Sequence, residues 1–101
     1  MVIISKTTLK NAIKSYPGAE DALNNWYDLT KQADWKNFSG MKEVFNSVDA
    51  VGKDRYVFNI KGNHFRLIAL IIFKIRTVYI LFIGTHKEYD KVDAASVTYK
   101  N

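Results

Sequence analysis

Thr85, His86, Lys87, Glu88, Tyr89 and Asp90 form a polar burst just after Val78 to Ile83, a strongly hydrophobic stretch of the chain. A histidine exchanges a proton near neutral pH, a tyrosine donates or positions one, and lysine or arginine stabilises negative charge on a phosphate. With Arg66 these residues are the parts for RNA cleavage without a metal. In that scheme a base takes the ribose 2′-hydroxyl proton, the oxygen attacks the adjacent phosphorus, an acid protonates the departing 5′-oxygen, and cations hold the phosphorane. The bland alternative is a solvated loop or short helix after a core strand.

Such groups become a site only if packed elements hold them in place. Met1 to Ile4 reads as a short strand, and Ser5 offers an N-cap hydroxyl to a helix running to about Tyr16. Leu9, Ala12, Ile13 and Tyr16 share one face of it, and Lys6, Lys10 and Lys14 line another. Pro17 and Gly18 break that helix, and Ala19, Ala22, Leu23, Trp26, Tyr27 and Ala33 give the next one a long apolar stripe, with its acids in the first turns. Ser39 is expected to cap a third, short helix with Met41, Val44 and Phe45 inward, and Ser47 to Lys53 reads as a loop. Trp26 and Trp35 read as core residues.

From Asp54 the period becomes alternating. Tyr56, Phe58 and Ile60 face one way and Arg55, Val57, Asn59 and Lys61 the other. Gly62 and Asn63 supply a tight turn, since both tolerate positive φ. His64 to Lys74 is apolar on both faces in its middle, which marks a central strand, and Val78 to Ile83 is the next strand. Leu67 to Ile83 is too short and too interrupted, by Lys74 and Arg76, for a membrane span. A strand, then helices, then an antiparallel meander is an α+β order.

At 101 residues the chain is expected to form one domain, over residues 1–101, and its 48% hydrophobic content supplies a core. The absence of Cys excludes a disulfide framework, a thiolate metal site and a cysteine nucleophile. His64 and His86 are the only histidines and no carboxylate cluster accompanies them, so neither a metal nor another cofactor is expected. There is no GxSxG elbow and no GxxxxGK phosphate loop. Met1 to Lys6 lacks the features of a signal peptide, so a cytoplasmic protein is expected. Residues 1–52 balance six lysines against six acids, whereas residues 53–101 carry nine cations against four acids, so the whole net charge of +5 lies in the second half. A one-sided basic surface suits a polyanion.

Adjacent antiparallel strands set the start of one beside the end of the other. Lys61, His64 and Arg66 are therefore expected near His86, Lys87 and Tyr89. Arg66, between Phe65 and Leu67, needs either an acid or a bound phosphate as partner. Asp90 is a candidate for that acid, or for orienting a nearby His or Lys.

The segment YVFNIKGNHFRLIALIIF (Tyr56 to Phe73) followed by GTHKEYDK (Gly84 to Lys91) resembles the HigB-type toxins of bacterial toxin and antitoxin pairs. The likeness rests on Asn59, Gly62, Asn63 and Arg66 together with the THKEYD sequence, and extends weakly over the N-terminal helices. It implies a RelE-like microbial ribonuclease fold, with N-terminal helices packed on a small antiparallel sheet. It also implies an mRNA interferase that cuts mRNA in the ribosomal A site and inhibits translation. The implied partner is a helix-turn-helix antitoxin of the HigA type. Carried across, the active-site positions are Arg66, His86, Lys87 and Tyr89, and the RNA-binding support is Lys61, Asn63, His64 and Lys91. Two other classes stay open: a non-catalytic RNA- or ribosome-binding module, and an interaction domain whose charge only solubilises.

Overall fold

A computed structural model describes residues 1–98. The order is β1 (Val2–Ile4), α1 (Lys6–Ser15), a 3-10 turn (Pro17–Ala19), α2 (Glu20–Gln32), α3 (Phe38–Val44), β2 (Asp49–Gly52), β3 (Arg55–Ile60), β4 (Phe65–Ile72), a second 3-10 turn (Phe73–Ile75), β5 (Thr77–Thr85) and α4 (His86–Tyr89). This is an α+β arrangement with helices on a five-stranded sheet, the layout that the resemblance implies.

The sheet order is β1-β5-β4-β3-β2, and β1 runs parallel to β5. The sheet is thus mixed, where a wholly antiparallel one was expected. The reason is topological: the helical segment between β1 and β2 acts as a crossover, which lets the first strand align with the last. β2 replaces the loop expected over Ser47 to Lys53. It is an edge strand with mostly exposed side chains, so it carries no buried alternation to betray it.

Helix ends follow local chemistry, though not always at the expected residue. Glu20 and Asp21 occupy the first turn of α2 and Lys31 its last, matching the helix dipole. Asn37, not Ser39, caps α3: its side chain accepts from the Gly40 N–H at 3.0 Å, and Ser39 sits exposed inside the helix. Ser5 precedes α1 but makes no side-chain cap. Its φ of 82° turns the chain out of β1 and carries the hydroxyl away from the first-turn amides. In α3, Met41 is buried and Phe45 packs on the core, but Val44 is 47% exposed rather than inward.

One face of the sheet meets the helices. There Phe58, Ile60, Leu67, Ala69, Ile71, Val78 and Ile80 close on Leu9, Leu23, Trp26 and Met41. The Phe58 ring lies edge-on to Trp26 at 5.4 Å and to Phe45 at 5.2 Å. Both tryptophans are core residues, as expected. The outer face carries a smaller cluster, Val57, Ile68 and Ala94, joined by Val51, Leu81, Phe82, Tyr89, Val92 and Val97. Arg55 pins the segment crossing that face by donating from Nε to the Val97 carbonyl at 2.9 Å.

A bulge in β5 shapes the functional end. Ala69 pairs with Ile80 and Ile68 with Phe82, so Leu81 is an extra residue. Before it the even-numbered Val78 and Ile80 face the helices; after it the odd-numbered Ile83 does. Phe82 and Gly84 are thereby turned to the outer face, and Gly84 is set opposite Arg66. The apolar stretch from 67 to 83 is two strands joined by a turn, as expected, and no helix among the described residues is long and apolar enough to cross a membrane. Phe58→Ala should cost about 3–5 kcal/mol in urea unfolding, and Val44→Ala should stay within about 0.5 kcal/mol of wild type.

Candidate functional site

The β3–β4 hairpin and the end of β5 bring the polar groups together. Ile60 pairs with Phe65 across a four-residue loop, closed by the His64 N–H donating to the Lys61 carbonyl at 3.2 Å. Lys61 and Gly62, at φ 52° and 63°, are the left-handed pair. Asn63 was expected to share that role and instead buttresses Arg66. Its carbonyl and its side-chain oxygen accept from the two terminal nitrogens of the guanidinium, each at 3.2 Å. Arg66 also lies over the Tyr89 ring, 5.8 Å from its centroid.

α4 is a single turn whose geometry is fixed at its start. The Thr85 hydroxyl accepts from the Glu88 N–H at 3.1 Å, and Glu88 Oε1 accepts from the Thr85 N–H at 2.8 Å, a complete capping box. The same carboxylate oxygen accepts from the hydroxyl of Tyr16, the residue that ends α1, at 2.5 Å. These bonds favour the charged carboxylate and hold the Glu88 pKa below its ordinary 4.5; the bond to Glu88 pushes the Tyr16 phenol above its ordinary 10.0. α4 wraps round the end of the sheet. Glu88 is tied towards the helix layer, where the Tyr16 ring also touches Phe65 at 5.2 Å, and Tyr89 packs on the outer face.

His86 donates its backbone N–H to the His64 carbonyl at 3.2 Å, linking α4 to the hairpin. Its Nδ1 lies 3.3 Å from Asp90 Oδ2. That contact turns the Nδ1 edge of the ring towards the carboxylate and the Nε2 edge away from it. Of the partners open to Asp90, it lies beside His86 and not Arg66. Among the described residues no carboxylate forms an ion pair with Arg66, whose partners are Asn63, the Phe65 carbonyl and the Tyr89 ring.

The structure therefore groups Asn63, His64, Arg66, His86 and Tyr89. Lys87 and Lys91 are exposed on and just after α4. Lys61 turns elsewhere: its Nζ rests by Gly18, at 3.3 Å from where a Cβ there would stand. No three His, Asp or Glu side chains converge as a metal site among the described residues. A cavity of about 250 Å³ lined by Thr8, Asn11, Ala12, Ser15, Tyr16 and Ile83 lies against α1. It carries no cation and sits on the helix side, away from Arg66. Glu88 and Tyr16 are not among the site residues expected from the sequence. Thr85-x-x-Glu88 is a capping-box spacing and was a usable signal; Tyr16, 72 residues from its partner, gave none.

Residues 19–92 match the HigB toxin family, the RelE-like toxic component of a toxin-antitoxin system. The chain belongs to the HigB toxin family. It is 34% identical over 92 residues to the mRNA interferase toxin HigB of Escherichia coli K12, covering 89% of this chain and 88% of that protein. The mRNA interferase HigB of Shigella flexneri matches to the same extent. That of Escherichia coli O6:H1 is 32% identical over 94 residues, 91% of each chain. The matched region of the family spans both halves of the site, from the hairpin to α4.

The Tyr16–Glu88 bond should have a pH window. Glu88, with its pKa lowered on folding, stabilises α4 fully above its unfolded value, and the effect is lost as pH falls through the folded value. Tyr16, with its pKa raised, contributes fully below its unfolded value and loses this as pH rises through the folded value. Amide NMR of Thr85 and Glu88 should show α4 loosening at both extremes and constant between about pH 5 and about pH 9.

Proposed function

We propose that this chain is a ribosome-dependent mRNA endoribonuclease, a toxin that halts translation by cutting mRNA in the ribosomal A site. Endoribonuclease activity follows from membership of a toxin family whose similar members are named mRNA interferases. The observation that carries the rest is Arg66: a guanidinium with no carboxylate ion pair among the described residues, braced by Asn63 and Tyr89, near a histidine that Asp90 orients. A braced fork of donors whose partners are neutral suits a phosphodiester.

In this reading the active-site residues are Arg66, His86, Lys87 and Tyr89. His86 Nε2 takes the proton of the ribose 2′-hydroxyl, and Asp90 stabilises the imidazolium that forms. The 2′-oxygen bonds to phosphorus, the bond from phosphorus to the 5′-oxygen breaks, and that oxygen leaves with a proton from Tyr89. Arg66 and Lys87 offset the charge that builds on the phosphorane oxygens, so the route is metal-independent. The products are a 2′,3′-cyclic phosphate and a 5′-hydroxyl. Asn63, His64, Lys61 and Lys91 support the RNA strand on either side. The protein acts as one domain in the cytoplasm, and its antitoxin is a helix-turn-helix protein of the HigA type; membership of a toxin-antitoxin family supports an antitoxin partner.

Purified ribosomes programmed with a defined mRNA test this reading. New 5′ ends should appear only with ribosomes present, and Arg66→Ala or His86→Ala should reduce cleavage by about 10²-fold or more. Full activity in both variants contradicts the site. Salt-sensitive RNA binding without new 5′ ends leaves a binding module in place of an enzyme.

A further inference from the structure

α4 carries His86, Lys87 and Tyr89 and directly precedes Asp90, yet it is only one turn long and His86 and Asp90 are exposed. A four-residue helix has almost no stability of its own. What fixes it must come from outside. Tyr89 tethers it to the outer face through the Arg66 contact. On the other side its one side-chain tie to the helical layer among the described hydrogen bonds is the Tyr16 phenol on Glu88 Oε1, the oxygen that also closes the capping box.

Gly84 makes that approach possible. A Cβ there would stand 3.1 Å from Glu88 Oε1 and 2.7 Å from the Phe82 ring, so a side chain would push against the carboxylate and ring together. Tyr16 is itself steadied by its ring contact with Phe65, the strand residue paired with Thr85. The phenol, the carboxylate and the pairing of Phe65 with Thr85 thus form a closed loop of contacts around the start of α4.

We propose that Tyr16 and Glu88 are positioning residues for the reaction: the tie from α1 to α4 sets the direction in which His86 and Lys87 meet the RNA phosphate. The proposal rests on the reading that α4 acts on RNA. Neither residue touches the substrate. Both act through the angle of α4, and small misplacements of reacting groups cost rate steeply.

Tyr16→Phe removes the hydroxyl and keeps the ring on Phe65. It should lower kcat on programmed ribosomes about tenfold with KM unchanged. It should also speed amide exchange of Thr85 about fivefold, as expected for losing one hydrogen bond. Glu88→Gln, which keeps an acceptor oxygen, should fall between Tyr16→Phe and wild type in both readouts. A kcat within twofold of wild type for Tyr16→Phe overturns the proposal even if exchange quickens. So does a loss of activity matched by a lowered urea midpoint, which would mark a merely structural role. The exchange measurement needs no RNA. If wild type cleaves nothing, the functional reading fails, and the tie is then judged on the Thr85 amide alone: quickened exchange supports it and unchanged exchange overturns it.

Discussion

The pairing of β4 with β5, with its one-residue bulge at Leu81, is the constraint on which the functional end depends. Side chains alternate along a strand, so a single extra residue reverses which face every later residue occupies. Here the reversal lets Ile83 join the helix-side core while Gly84 comes opposite Arg66 on the outer face. Without it Gly84 would point to the helices and α4 would leave the sheet on the wrong side. The bulge lies opposite Ile68 and Ala69, buried on the two faces of β4, and that burial holds the register firmly.

The electrostatics of the site follow from that placement. Two carboxylates stand on or beside α4, and each is occupied locally: Glu88 by Thr85 and Tyr16, Asp90 by His86. Neither neutralises Arg66. The guanidinium is held by neutral acceptors and an aromatic face, which steady its direction and leave its charge for an anion. The uneven charge of the sequence thus has a local counterpart, in a cation that the fold braces without pairing it.

Elements with strong periodicity were legible in the sequence. The apolar stripes of α1 and α2 and the alternation of β3 placed Leu9, Leu23, Trp26, Phe58 and Ile60 in the core where they are found. The approach of Arg66 to Tyr89, and of the His64 and His86 backbones, was legible too, because a short hairpin leaves antiparallel strands few ways to pair. Several features were not. β2 has no buried alternation, β1 joins the sheet through a crossover that local pattern does not encode, and the bulge depends on how two long apolar strands match. The caps shifted because hydroxyl position alone does not set backbone direction: Ser5 turns left-handed and Asn37 takes the place assigned to Ser39. The tie from Tyr16 to Glu88 is a contact between distant segments, and no local spacing announces it.

Membership of the HigB toxin family and the shape of the braced arginine meet at one claim, that the scissile phosphate of mRNA sits on the outer face at the end of β4 and β5. The most direct measurement is a cryo-electron microscopy structure of the protein on a ribosome carrying an mRNA whose A-site 2′-hydroxyl is replaced by a methoxy group. The account predicts the blocked phosphate within hydrogen-bond distance of the Arg66 guanidinium, with His86 Nε2 facing the 2′-oxygen. A phosphate held instead against the α1 and α2 helices, with Arg66 still on Asn63 and far from RNA, would contradict it.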